Sequence, residues 1–246
     1  MAWTKTTRTV VTGLAVFLVL AAATMMFLFR HQIANQITIA RGRHTVASNK
    51  AVPVNMAANY TTPASYFPKI TQFPAWATVP TGFQVFDNVP LQIDGMICLW
   101  GAGNEKIGII FPEQRLGITV NQKFETLYVY HGSFFTSSNE TPVCEVVFRY
   151  ADGSSATNQL LYATDILDWN ANSGRKLVRP TGPNSKLAWV GGTFKPGTKR
   201  PVCFCLTAIA NPQPSIEVST IDLFSCKSRT APCIMAMTTG RSGLMK

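Results

Sequence analysis

The sequence is constrained most by a run of twenty residues without a charged side chain, residues 10–29. Lys5 and Arg8 precede this run and Arg30 follows it. Because a helix rises about 1.5 Å per residue, such a run reaches roughly 30 Å, the thickness of the hydrocarbon core of a bilayer. The sequence therefore predicts one transmembrane α-helix with a short extension over residues 10–43, behind an N-terminal tail of residues 1–9.

A cleaved secretory signal is the alternative interpretation of this region. Lys5 and Arg8 would form its basic segment, and the three alanines at 21–23 its cleavage site. The apolar run continues beyond these alanines to Phe29, which favours an uncleaved span. The basic residues on the two sides are similar in number, so the orientation rests on the short basic tail. We expect a single-pass membrane protein with its N-terminus inside and its folded part on the extracytoplasmic side.

The net charge of +10 comes mostly from the region around this span. Residues 1–80 contain seven Lys or Arg and no acid, whereas residues 81–246 contain fifteen basic residues against twelve acidic ones. A basic flank favours anionic lipid headgroups or acidic protein surfaces. The interspersed charges of the remainder argue against nucleic-acid binding.

Residues 44–82 have the composition of an extended strap. Prolines recur at positions 53, 63, 68, 74 and 80, and proline disfavours regular helix. A flexible linker lacks aromatic residues, whereas this segment carries Tyr60, Tyr66, Phe67, Phe73 and Trp76. These rings predict a segment that lies on a surface, and either its own domain or a partner protein would provide one.

The remaining residues, 83–246, show the pattern of an all-β domain. Short apolar runs alternate with clusters of Gly, Pro, Asn and Asp. Strands are predicted near residues 83–86, 95–100, 107–111, 116–120, 126–132, 143–150, 155–162, 186–190, 202–210, 216–226 and 234–239. Asp152-Gly153 supplies the positive φ that a tight hairpin needs. This many short strands in one domain predict a jelly-roll β-sandwich.

Several motifs in residues 83–239 carry a resemblance to a known fold family. They are FDNVPLQIDG (86–95), YADGSS (150–155), DW (168–169), LAW (187–189), NPQP (211–214) and STIDL (219–223). In this order they resemble the galactose-binding-domain-like jelly rolls of bacterial surface and membrane-anchored proteins, which are related to NPCBM and discoidin-type modules. The resemblance implies the sandwich fold and, together with the span, a bacterial inner (cytoplasmic) membrane with the sandwich on its periplasmic side. It leaves open whether the ligand is a sugar, a lipid or a protein.

Residues with catalytic chemistry are few in the predicted domain. His131 is its single histidine and is expected to be structural. Asp165 and Asp168 could pair for glycoside hydrolysis or calcium binding, but two acids in one loop more often cap turns. We therefore expect neither an enzyme nor a bound metal or cofactor.

The six cysteines are compatible with an oxidising compartment. Cys203 and Cys205 alternate on a predicted strand and so point to one face. Cys226 and Cys233 flank a short turn and could face each other across a hairpin, which would allow a disulfide between them. The pairing stays open, and most of the six cysteines are expected to be small buried side chains.

Two functional hypotheses remain open at this point. The first is an accessory subunit that the span and the strap dock onto a larger membrane protein complex, such as a respiratory or photosynthetic one. The second is a membrane-displayed carbohydrate-binding module. Two basic loops would serve a glycan or a docking partner, or lie in solvent; their residues are Arg175, Lys176, Arg179, Lys195, Lys199 and Arg200.

Overall fold

The computed structural model describes residues 51–69, 74–170, 178–191 and 202–245, all of which lie in one compact unit, Asn49–Lys246. The predicted N-terminal tail and transmembrane helix lie outside the described residues. Within those residues, no helix has the length and apolar character needed to cross a membrane.

The described residues form an all-β fold with little helix. The strands are β1 Val52–Pro53, β2 Thr62–Pro63, β3 Gly82–Phe86, β4 Val89–Ile93, β5 Gly95–Cys98, β6 Gln114–Gln122, β7 Thr126–Phe134, β8 Pro142–Tyr150, β9 Ser155–Leu161, β10 Ser185–Gly191, β11 Val202–Ala210, β12 Val218–Ser225 and β13 Ala231–Gly240. The one-turn helix α1 spans Ala102–Glu105, and 3-10 turns span Ala57–Asn59, Ala64–Lys69 and Pro74–Thr78.

The strands form antiparallel sheets between which the chain crosses repeatedly. A seven-stranded sheet has the order β10-β11-β7-β13-β5-β2, with β1 also paired to β13. A four-stranded sheet has the order β6-β12-β8-β9, and β3 pairs with β4 in a separate hairpin. Strands that follow each other in the sequence, such as β6 and β7 or β12 and β13, therefore belong to different sheets.

The large sheet is buried on both of its faces. Side chains of β7 alternate between the two faces, as the period of a strand requires. Leu127 and Val129 join a core shared with the four-stranded sheet, which makes the arrangement sandwich-like. Tyr128 and Tyr130 join a second core on the opposite face, covered by the β3–β4 hairpin and by the two later 3-10 turns.

Most of the predicted strands are present, and β11 has the predicted bounds. Gly153 has a φ of +86° between β8 and β9, which confirms the hairpin at Asp152-Gly153. The strand predicted at residues 107–111 is wrong, since these residues form a loop, and β4 was not predicted.

The strap is built into the domain. Its residues supply β1, which pairs with β13, and β2, which pairs with β5. The prediction of an extended segment is wrong for the three 3-10 turns among its described residues. Short 3-10 turns tolerate proline better than a longer helix does, and Pro68 lies inside one of them.

The Cys226–Cys233 disulfide that the sequence allowed is not formed. Cys233 on β13 is bonded to Cys98, which lies directly opposite it on β5. Cys144 and Cys205 are buried free thiols, and Cys203 is buried as well. Strand pairing, rather than closeness in sequence, chose the bonded pair.

Candidate functional site

Buried side chains that could take part in acid–base chemistry lie in a chain of hydrogen bonds, which we call the polar chain. Nε2 of His131 on β7 lies 2.8 Å from Oγ1 of Thr207 on β11. That hydroxyl lies 2.9 Å from Oγ of Ser185 on β10, which donates to Oδ1 of Asp165 at 2.8 Å. His131, Thr207 and Ser185 are all buried. The pairing of β10, β11 and β7 brings these groups together with the turn that follows β9.

The direction of the polar chain follows from its carboxylate end. A carboxylate only accepts, so Ser185 donates to Asp165 and must accept from Thr207. Thr207 then accepts from Nε2 of His131, which is therefore the protonated nitrogen of a neutral ring. Nδ1 of His131 is left without a hydrogen-bond partner among the described residues.

Electrostatics agree with a neutral ring. Burial lowers the pKa of His131 from 6.5 to about 3, because a charged imidazolium would lose its hydration in the core. In a nucleophile–base pair, the histidine accepts the proton of the hydroxyl. Here the histidine donates and the serine points to the carboxylate, so the polar chain has the order of a structural network rather than of a hydrolase triad.

The two acids that could have paired act on backbone turns. Asp165 accepts the N–H of Leu161 at 3.0 Å, and Asp168 accepts the N–H of Asn170 at 3.0 Å. Among the described residues, no three His, Cys, Asp or Glu side chains form a group that could hold a metal ion.

The strap aromatics lie in different environments. Phe67 and Trp76 are 1 % exposed. The Trp76 ring lies within 6 Å of the rings of Phe67, Phe134, Trp169 and Phe204. The sequence left open whether the strap lies on its own domain or on a partner protein. The rings of Phe67 and Trp76 cover the chain's own sheet. Tyr60 is partly buried against the sandwich core, Tyr66 is 51 % exposed, and Phe73 lies outside the described residues.

The basic loops can be placed only in part. Arg179 is exposed. Five of the predicted loop residues lie outside the described part of the chain: Arg175, Lys176, Lys195, Lys199 and Arg200.

An exposed apolar loop was not foreseen as a site. We call residues 106–111 the isoleucine loop, because Ile107, Ile109 and Ile110 are 61 %, 45 % and 74 % exposed. Sequence reasoning assigned them to a strand, since a continuous apolar run is typical of a buried strand. Nothing in the run itself distinguishes that case from an apolar loop facing solvent.

The surroundings of the isoleucine loop carry charges of both signs. Lys106 belongs to the loop, and Glu105 precedes it. The backbone of residues 228–229 contacts α1, which places Lys227 and Arg229 nearby. Lys227 pairs with Glu113 at 2.8 Å, so these five side chains leave a small positive excess.

A polar cleft of about 350 Å³ lies where β6–β7, β11–β12 and the end of β13 meet. Its charged lining residues are Lys123, Glu125 and Arg241. Phe124 also lines it, but that ring is 6 % exposed and packs edge-on against Phe148. The cleft therefore offers charged and amide groups rather than an open aromatic surface.

Comparisons with protein-family models, with curated protein sequences and with solved structures found no match for this chain.

Proposed function

We propose that this protein is a non-catalytic, single-span membrane-anchored β-sandwich that serves as an accessory subunit docked on a larger membrane protein complex. The sandwich is proposed to be a jelly roll of the galactose-binding-like type, on the extracytoplasmic side of a bacterial inner membrane. Respiratory and photosynthetic complexes are one class of host, because large energy-transducing assemblies often carry single-span subunits.

One contrast carries this proposal. The polar chain is buried and oriented for a structural role, whereas the apolar side chains of the isoleucine loop face solvent. Contiguous exposed apolar residues mark sites of contact with a protein or with a membrane. A domain with this distribution acts by contact more readily than by chemistry.

The disulfide supports the proposed side of the membrane. Structural disulfides persist in oxidising compartments such as the bacterial periplasm. The Cys98–Cys233 bond joins strands 135 residues apart in sequence and lies in the core. An uncleaved span with its N-terminus inside would place the sandwich in such a compartment.

The polar cleft favours a second candidate, a membrane-displayed carbohydrate-binding module. Its lining of charged and amide side chains, with Gln122 beside Lys123 and Glu125, could bind hydroxyl groups. A sugar site commonly adds an exposed aromatic ring, which the described lining lacks. The docking function therefore ranks first.

The test is purification of the native protein from membranes in a mild detergent. We expect other membrane subunits to co-elute, and mass spectrometry to find peptides N-terminal to Ala23. A mature terminus at Thr24 would refute anchoring. Tight binding on a glycan array, without co-eluting subunits, would reverse the order of the two candidates.

The strap's part in docking is tested by its exposed ring. Tyr66→Ala should lower the yield of co-eluting subunits, because Tyr66 is the strap aromatic seen to be exposed among the described residues. Phe83→Ala is the matched control, since Phe83 is 52 % exposed but lies on β3 outside the strap. Equal yields from both variants would remove the strap from the docking surface.

A further inference from the structure

The exposure of the isoleucine loop is built into its backbone. The N–H groups of Ile107 and Ile109 donate to the carbonyl of Asn104 at 3.1 and 3.0 Å, and that of Gly108 donates to Glu105 at 2.9 Å. Gly108 has a φ of +78°, with open space on its side-chain position. These bonds hold the isoleucines in a folded turn that presents them to solvent.

The base of the loop is closed by the domain. The N–H of Trp100 donates to the carbonyl of Pro112 at 2.8 Å. Phe111 turns inward and stacks near Phe134, with ring centroids 6.2 Å apart. The three isoleucines are therefore displayed from a fixed support, with Lys106 beside them.

The chemistry of this tip fits lipid better than protein. Protein interfaces draw most of their binding energy from Trp, Tyr and Arg, whereas aliphatic residues contribute less often. The tip offers three branched aliphatic side chains with a lysine next to them. Apolar side chains that enter the headgroup boundary, with cations left at an anionic surface, are the pattern of interfacial membrane binding.

The membrane lies within reach if the chain is anchored as proposed, and the inference rests on that part of the proposed function. Residues 30–50 separate the apolar run from the first described residue. With the predicted helix continuing to residue 43 at about 1.5 Å per residue and the rest extended at about 3.6 Å per residue, they span at most roughly 45 Å. A loop on the domain surface can then meet the same bilayer.

We propose that the isoleucine loop is a second membrane contact, at which Ile107, Ile109 and Ile110 enter the interfacial region of an anionic bilayer. This contact sets how the sandwich is oriented on the membrane. Lys106, which belongs to the loop, lies at the headgroups.

The test uses the full chain reconstituted in vesicles of phosphatidylglycerol and phosphatidylcholine. Ile110→Cys is labelled with an environment-sensitive fluorophore, in a background in which the partly exposed Cys226 is serine. Lipids that carry a spin label on the acyl chain serve as quenchers. Val85→Cys is the matched control, because Val85 is 57 % exposed on β3 but lies away from the loop in sequence.

We expect the label at position 110 to show blue-shifted emission that spin-labelled lipid quenches, and the label at position 85 to show neither. A water-like spectrum at position 110 in chains that float with the vesicles overturns the inference and leaves the anchor standing. A blue shift without lipid quenching also overturns it, since a protein surface or a second copy would then cover the loop. An alkaline wash separates the two proposals: release of chains whose loop label was quenched would refute the anchor alone.

Discussion

Replacing His131 by glutamine should flatten the dependence of the domain's stability on pH. His131 is fully buried, and burial lowers its pKa from 6.5 to about 3. The unfolded chain therefore binds a proton as the pH falls through about 6.5, whereas the folded chain stays neutral until about pH 3. The contribution of His131 to the free energy of unfolding is therefore highest above about pH 6.5 and is lost as the pH falls from there towards about 3.

The size of the effect follows from the two pKa values. Proton linkage gives a loss of about 3 kcal/mol between about pH 7.5 and about pH 4. The structure supplies a reason for the low pKa of His131 beyond burial. A second proton would have to sit on Nδ1, which has no partner among the described residues. The proton on Nε2 is already donated to Oγ1 of Thr207.

The assay is urea unfolding of the unit Asn49–Lys246 at these two pH values, for the native sequence and for His131→Gln. The glutamine amide can donate to Thr207 but does not titrate, so subtracting the two pH differences removes the contribution of every other group. We expect the native sequence to lose about 3 kcal/mol more than the variant on acidification. Equal losses would refute a neutral, buried His131.

Three further predictions concern stability. Serine at both Cys98 and Cys233 should cost about 5 kcal/mol, because the bond closes a long loop in the unfolded chain; unfolding with and without reductant checks this, and an unchanged midpoint would contradict it. Trp76→Ala should cost about 3–5 kcal/mol by leaving a cavity, whereas Tyr66→Ala should change stability by less than about 0.5 kcal/mol; similar denaturation midpoints for the two variants would show that Trp76 is not a core residue. Gly153→Val should cost about 1–3 kcal/mol, because φ is positive there, although no atom outside the neighbouring residues lies within 4 Å of the added Cβ; an unchanged melting temperature would argue against the turn.

The strands and one hairpin could be predicted because their signals are local. β11 is an apolar run interrupted by Thr207, its ends are clear, and its predicted bounds are those observed. The hairpin between β8 and β9 follows from Asp152-Gly153, whose positive φ is a property of the turn itself. In both cases the decisive information lies within a few residues.

Burial could not be predicted from the same letters. The isoleucine loop and β11 are both apolar runs, yet one faces solvent and the other lies in the core. Trp76 shows the same limit, since the composition of the strap around it was compatible with a partner's surface as well as with the chain's own sheet. An apolar run indicates which residues can be buried. Whether a surface covers them depends on how the sheets pack.

The sequence by itself determined an all-β domain behind an apolar, basic-flanked segment, because strand period, turn chemistry and charge are read along the chain. Only the tertiary structure decided which cysteine bonds to Cys98 and which groups join His131. The partners of His131 come from β10, β11 and the turn after β9, and Cys233 lies 135 residues from Cys98. These contacts depend on strand register, which brings together residues whose separation in sequence carries no signal of their meeting.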